Sequence, residues 1–261
     1  MISAIGGTTV ALLTLVILIA GTTNGLAGFG FALVGTMALA TVIDPATAVV
    51  FMIIPILAVN LSLVRDLTRE ELRTCSQRFG PLIGAALVGT VVGMAVLSRI
   101  PTGPLRVGLG VLTLGFVATA QRRIPLPEWS SGGIGTFAQT RVGMVGVGGI
   151  SGLLFGGTNV GVQLIAYLRS FDLSHGLFVG VVALVFLGLN GIRVAVAGLL
   201  GLYPTRILLL ASVGAALPAV VGVAVGKRLR AAASERSRRL VVLSLLTAVG
   251  FRLVGGGLGI V

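Results

Sequence analysis

Two very apolar segments of this chain are interrupted at corresponding places, and few folds can accommodate such interruptions. Near the start, Asn24-Gly25-Leu26-Ala27-Gly28-Phe29-Gly30-Phe31-Ala32-Leu33 breaks one segment. Near the middle, Ser151-Gly152-Leu153-Leu154-Phe155-Gly156-Gly157-Thr158-Asn159-Val160 breaks the other. Each run sets glycines, an asparagine and nearby threonines where a membrane helix would continue unbroken. Non-helical backbone at membrane depth survives only when it is buried in protein or lines a wet cavity. Interrupted apolar segments in corresponding halves of a chain point to a transporter's binding site.

The rest of the composition agrees with a bilayer as the solvent. Only 10% of the residues are charged and 56% are hydrophobic, whereas a soluble domain carries about 25% charged residues. The chain therefore reads as an all-α, polytopic membrane protein. Its formal charge of +12 is spread over membrane-flanking loops, and two tyrosines and one tryptophan offer little for base stacking. Nucleic acid is excluded as a partner on that ground, and the basic excess reads as orientation information. Cys75 is the only cysteine, so no internal disulfide can form, and no metal or cofactor site is expected. The first apolar segment lacks a positively charged start and reads as retained rather than cleaved.

Hydrophobic stretches fall near residues 4–22, 30–43, 46–64, 80–98, 105–120, 142–156, 158–170, 175–201, 206–226 and 239–254. A crossing needs about 20 helical residues. The stretches 30–43 and 158–170 are too short, so each pairs with its predecessor as a broken or re-entrant hairpin. The similarity between halves continues past the motifs, with Asp44 matching Asp172, Asn60 matching Asn190, and Gly89/Gly93 matching Gly222/Gly226. This gives a first repeat over 1–120, a cytoplasmic linker over 121–141 rich in proline, serine and glycine, and a second repeat over 142–261. If each motif made a single crossing, the basic residues would divide evenly between the two faces. If each motif returns to its starting side, fourteen collect on one face, against Arg99, Arg106, Arg206 and Arg252 on the other. Cytoplasmic loops are enriched in Lys and Arg, so the second arrangement is favoured, with oppositely oriented halves. Thr68 and Glu71 read as a capping box opening a short cytoplasmic helix ahead of a membrane segment at Gly80-Pro81.

The glycine motifs are the first candidates for chemistry. Gly25, Gly28 and Gly30 in one half, and Gly156 and Gly157 in the other, let backbone turn and approach a ligand. The short second arms, starting near Gly30 and Thr158, would aim free N–H groups at the membrane interior, where partial positive charge binds anions. Thr22, Thr23 and Asn24, and Thr158, Asn159 and Gln163, are expected to add neutral donors. Arg193 is the buried-charge candidate: a cation so far inside an apolar helix faces a cavity or a partner, or snorkels to the interface. Asn190 shares its helical face, and Asn60 is its counterpart in the first half. Asp44 and Asp172 suit helix N-caps, with proton coupling as the other reading, and His175 reads as an interfacial residue. No catalytic constellation is present, so no enzyme is expected.

Together the breaks, the element Asn190-Gly191-Ile192-Arg193 and the helices carrying Gly89/Gly93 and Gly222/Gly226 resemble the sulfite exporter TauE/SafE family over essentially the whole chain. That resemblance implies a multi-pass inner (cytoplasmic) membrane carrier of sulfite, sulfonates or related small organic anions. Its glycine breaks fall here on Gly25, Gly28 and Gly30 and on Gly152, Gly156 and Gly157, and its Asn and basic residue on Asn190 and Arg193. The expected function is a secondary transporter of a small anion, with a site where the two repeats meet and alternating access by rocking of one against the other. A passive anion channel and a non-transporting membrane scaffold are the alternatives.

Overall fold

The computed structural model describes residues 7–27, 30–64, 69–97, 99–120, 140–169, 171, 175–203, 205–230, 232 and 234–260. Among them the chain is helical and has no strand. The helices are α1 (Gly7–Ala27), α2 (Phe31–Ala40), α3 (Pro45–Phe51), α4 (Ile53–Val64), α5 (Arg69–Leu97), α6 (Thr102–Ala120), α7 (Arg141–Thr158), α8 (Val162–Arg169), α9 (His175–Leu199), α10 (Arg206–Arg230) and α11 (Glu235–Gly257). Four described segments are long and apolar enough to cross a membrane: Pro45–Ser62, Gln77–Leu97, Arg206–Arg230 and Arg236–Gly257. The arms α2 and α8 have ten and eight residues, about 15 and 12 Å of helix, and neither can cross alone.

Space is divided differently from the sequence. One compact unit comprises Met1–Val59, Pro101–Val117 and Tyr203–Val261; the other comprises Asn60–Ile100 and Ala118–Leu202. Each draws on chain from both sides of the linker, most of which (121–139) lies outside the described residues.

In the first unit α1 lies along α10 at backbone contact. A Cβ added to Gly25 would overlap the Val223 carbonyl oxygen, and one on Gly226 would overlap that of Thr22. One turn back, a Cβ on Gly21 would come within 2.6 Å of the Ala219 oxygen. The second unit repeats the arrangement with α7 along α5. Gly148, Gly152 and Gly156 rest on the carbonyls of Leu82, Ala86 and Thr90, and Gly89 and Gly93 on those of Gly149 and Leu153. The Thr90 hydroxyl also donates to the Gly152 carbonyl at 3.2 Å. The order of contacts shows that both pairs are parallel.

The contacts of one pair map onto those of the other in two registers four residues apart, because a glycine at every fourth position looks the same after a four-residue shift. The register that sets Gly21 and Gly25 on Gly152 and Gly156 keeps the sequence pairing of Gly222/Gly226 with Gly89/Gly93. In the first unit α6 and α11, the last helix of each repeat, pack antiparallel: a Cβ on Gly110 would lie 2.9 Å from the Gly250 oxygen, and one on Gly257 2.9 Å from the Gly103 oxygen.

Two expected segment boundaries move. The polar stretch before Gly80 is not a separate helix: α5 runs unbroken from Arg69 through Pro81. Proline there removes only the bond to the carbonyl of Gln77, which is exposed and open to water. Thr68, half of the expected capping box, lies outside the described residues. Conversely, the stretch 46–64 is two helices meeting at a turn at Met52. Pro55 has no N–H to offer the Phe51 carbonyl four residues back. The Ser212 hydroxyl on α10 donates to that oxygen instead, at 2.6 Å, and the Tyr203 hydroxyl donates to the adjacent Val50 carbonyl at 3.1 Å. Asp44 caps α3 as expected, accepting from the Thr47 N–H at 2.9 Å and from the Thr102 hydroxyl at 3.0 Å.

Two outcomes test this packing by unfolding of the purified protein in detergent. Gly152→Ala and Gly226→Ala should each cost about 1–3 kcal/mol or more, since the overlapped atoms are backbone. Gly108→Ala and Gly115→Ala, whose added methyl meets nothing within 4 Å, should change stability little. Ser212→Ala should cost about 1–3 kcal/mol by leaving a buried carbonyl unsatisfied. In a Pro55→Ala background, where residue 55 regains its N–H, most of that cost should vanish, giving a measurable coupling in a double-mutant cycle.

Candidate functional site

The first break is tied by a side chain one turn ahead of it. α1 remains helical through Thr22, Thr23, Asn24 and Gly25, and the chain resumes at Gly30 with φ 102°, a left-handed conformation that glycine adopts without strain. Asn24 is buried, and its Oδ1 accepts from the Phe31 N–H at 3.2 Å, capping α2 from a distance. Eight of the ten α2 residues are buried, so this arm is enclosed by protein, packed on α1, α3 and α11. Gly28 lies outside the described residues.

Several residues singled out at this break have structural tasks. The Thr22 and Thr23 hydroxyls donate to the carbonyls of Leu18 and Ile19 in their own helix, at 2.8 and 2.7 Å. They do not present hydrogens to a ligand, because a hydroxyl within a helix finds the i−4 carbonyl first. Gly25 sits in the α1–α10 contact. One participant was not legible in the sequence: Arg238, from the first turn of α11, donates from Nη1 to the Leu26 carbonyl at 3.3 Å. It engages the last turn of α1 ahead of the break, across more than two hundred residues of chain.

At the second break α7 ends at Thr158, and Asn159 follows with φ 61°, the only non-glycine residue with positive φ among those described. The Asn159 N–H bonds the Phe155 carbonyl at 3.0 Å, closing the helix as a left-handed cap. Asn159 is fully buried. The second arm begins at Val162, four residues beyond the expected start, because Thr158 still belongs to α7. Its hydroxyl donates to the Leu154 carbonyl and accepts from the Val160 N–H at 3.1 Å. Gln163 Nε2 donates to the Val160 carbonyl at 2.8 Å and reaches the Ser151 carbonyl at 3.5 Å, holding α8 against α7. Gly156 and Gly157 are buried, with Gly156 resting on the Thr90 carbonyl of α5.

Arg193 is brought to this second break. It lies six residues before the end of α9, about 9 Å inside the helix, and is 0% exposed. Snorkelling is thereby ruled out. Its Nη1 donates to Asn190 Oδ1 at 3.3 Å, and Asn190 Nδ2 in turn donates to the Phe186 carbonyl at 2.8 Å. The guanidinium carbon stands 4.9 Å from the centre of the Phe155 ring, within cation–π range. Phe155 also supplies the carbonyl that caps α7, so the buried cation and the break share one residue. Phe155 belongs to a buried apolar cluster with Leu164, Val185 and Leu189, all fully buried. A charge at such depth costs about 2.5–3.5 kcal/mol on insertion scales.

Asn60, half-buried on α4, is not joined to this cluster by any contact described here. Asp172 and the side chain of His175 lie outside the described residues. An open apolar groove of about 480 Å³, lined by Gly80, Ile83, Gly84, Leu87, Leu184, Leu187 and Gly188, carries no polar side chain and is unsuited to an anion.

Residues 13–253 match the sulfite exporter TauE/SafE family, nearly the whole chain, and the protein belongs to that family of multi-pass membrane transporters. No curated protein and no solved structure matches the chain.

The tie at the first break has a measurable weight. Asn24→Ala leaves the Phe31 N–H at the head of a buried helix unpartnered and should cost about 1–3 kcal/mol. Thr23→Val, which removes only a hydroxyl bonded within its own helix, should cost less than half as much in the same unfolding measurement.

Proposed function

We propose that this member of the family is a secondary transporter of a small anion, a sulfur oxyanion such as sulfite or an organosulfonate, in the cytoplasmic membrane. The observation that carries the reading is Arg193: a fully buried arginine packed on Phe155, whose carbonyl closes the broken helix. Arg193 supplies the charge that attracts the anion and Asn159 the polar lining. The first turn of α8 supplies backbone donors with the partial positive charge of a helix N-terminus.

Transport proceeds by alternating access of two inverted repeats. Support comes from the matched contacts of α1 with α10 and α7 with α5, and from the antiparallel packing of α6 on α11. Helices that cross in opposite senses in the two repeats are what an inverted duplication produces. The breaks after α1 and α7 give each repeat a place to bend without sacrificing long runs of helix hydrogen bonds.

Uptake of labelled sulfite into proteoliposomes tests the reading. Wild-type flux should saturate with sulfite concentration. Arg193→Met keeps the side-chain volume and removes the buried charge, at a cost of about 1–3 kcal/mol in stability from leaving Asn190 Oδ1 without its donor. It should lower flux by at least roughly tenfold, about 1.4 kcal/mol, when compared at equal amounts of folded protein. Asn159→Gly keeps the left-handed conformation accessible and should reduce flux. Undiminished flux in Arg193→Met would overturn the assignment. Flux that never saturates would make the protein a channel, and absent flux a scaffold.

A further inference from the structure

Positive charge is concentrated in the last turn of α10 and the start of α11. Lys227, Arg228 and Arg230 lie in the first and Arg236, Arg238 and Arg239 in the second, against Glu235 alone. Lys227, Arg228, Arg230 and Arg236 are exposed. One or two cations would satisfy the negative end of α10, and Arg238 is engaged by the Leu26 carbonyl, so the cluster holds more charge than the helix end needs. Both flanking helices are membrane-span candidates, Arg206–Arg230 and Arg236–Gly257, and a short turn between two spans lies at the level of the lipid headgroups. Beside the cations stand exposed apolar side chains: Leu229 at 47%, Leu240 at 57% and Val241 at 58% exposure. A soluble anion would leave these uncovered, whereas the acyl chains below a headgroup would cover them.

We propose that the basic ends of α10 and α11, with Lys227, Arg228, Arg230 and Arg236, are a binding site for the phosphate headgroup of an anionic phospholipid, and that lipid bound there steadies the end of α1. Guanidinium groups form paired, charge-assisted hydrogen bonds to phosphate oxygens. A zwitterionic headgroup brings its own ammonium, which competes for the same phosphate. The link to α1 is direct: a Cβ on Gly25 would come within 2.7 Å of the Lys227 backbone nitrogen, and Arg238 holds the Leu26 carbonyl one turn before the break. Lipid that immobilises this turn therefore immobilises the helix end from which the first break departs. The inference depends on the membrane setting and not on the identity of the cargo.

The test uses the purified full-length protein in detergent, with phosphatidylglycerol or phosphatidylcholine added, read by thermal unfolding and by lipid retained in native mass spectrometry. Phosphatidylglycerol should raise the unfolding midpoint of the wild type and remain bound, and phosphatidylcholine should do neither. The combined variant Lys227→Gln, Arg228→Gln, Arg230→Gln and Arg236→Gln should keep its midpoint in phosphatidylcholine and bind phosphatidylglycerol at least tenfold more weakly. Should that variant fail to fold, Arg228→Gln with Arg230→Gln should still show a partial loss. An undiminished phosphatidylglycerol shift in whichever of these variants folds overturns the proposal. An equal shift produced by glycerol phosphate or inorganic phosphate also overturns it, because it would mark the turn as a collector of soluble anions. All these readings stand whether or not sulfite is transported.

Discussion

Backbone-to-backbone contact across glycine holds this protein together. Lipid tails are as apolar as leucine, so burying a leucine between two membrane helices gains little over leaving it in lipid. Close approach, with dispersion and carbonyl dipoles at short range, has to do what the hydrophobic effect does in water. The α1–α10 and α5–α7 pairs show how far this is taken. A single methyl at Gly25, Gly89, Gly152 or Gly226 would overlap a partner carbonyl. Those two parallel pairs are the rails from which the broken arms depart, so the geometry of both breaks is inherited from the glycine contacts beside them.

Satisfying interrupted backbone is the second constraint, because each orphaned N–H or carbonyl in a dry interior is costly. Four different solutions are used. Asn24 reaches seven residues ahead to the head of α2, Arg238 reaches back to the last turn of α1, and Thr158 bonds on both sides of the second break. Ser212 covers the carbonyl that Pro55 abandons. Side chains that resemble ligand donors in the sequence are thus partly occupied in holding the breaks open. What is distinctive at the second break is Arg193, a fully buried cation held by Asn190 and packed on the Phe155 ring.

The breaks themselves, the α3 cap at Asp44 and the depth of Arg193 were legible because each rests on local chemistry: glycine and asparagine where helix should continue, a carboxylate before a proline, a cation amid leucines. The use of Gly89, Gly93, Gly222 and Gly226 for helix contact was legible for the same reason. Their partners were not, since a small residue advertises closeness without naming its neighbour, and a four-residue repeat cannot fix its own register. The roles of Thr22 and Thr23 were misread because donors are counted along the sequence while acceptors four residues back are invisible in composition. Arg238 and Ser212 act across distances that periodicity does not reach.

The interleaving of the two compact units has a consequence for how the molecule is made. α1 enters the bilayer early, yet its glycine face is complementary to α10, which is translated some two hundred residues later. At about 5–20 residues per second, the nascent segment waits on the order of ten to forty seconds with Gly21 and Gly25 uncovered. Biogenesis must shelter that notched surface, in the insertion machinery or against a provisional neighbour, until its mate arrives. Truncating the message anywhere before α10 strands α1 without the helix that its glycine face packs against.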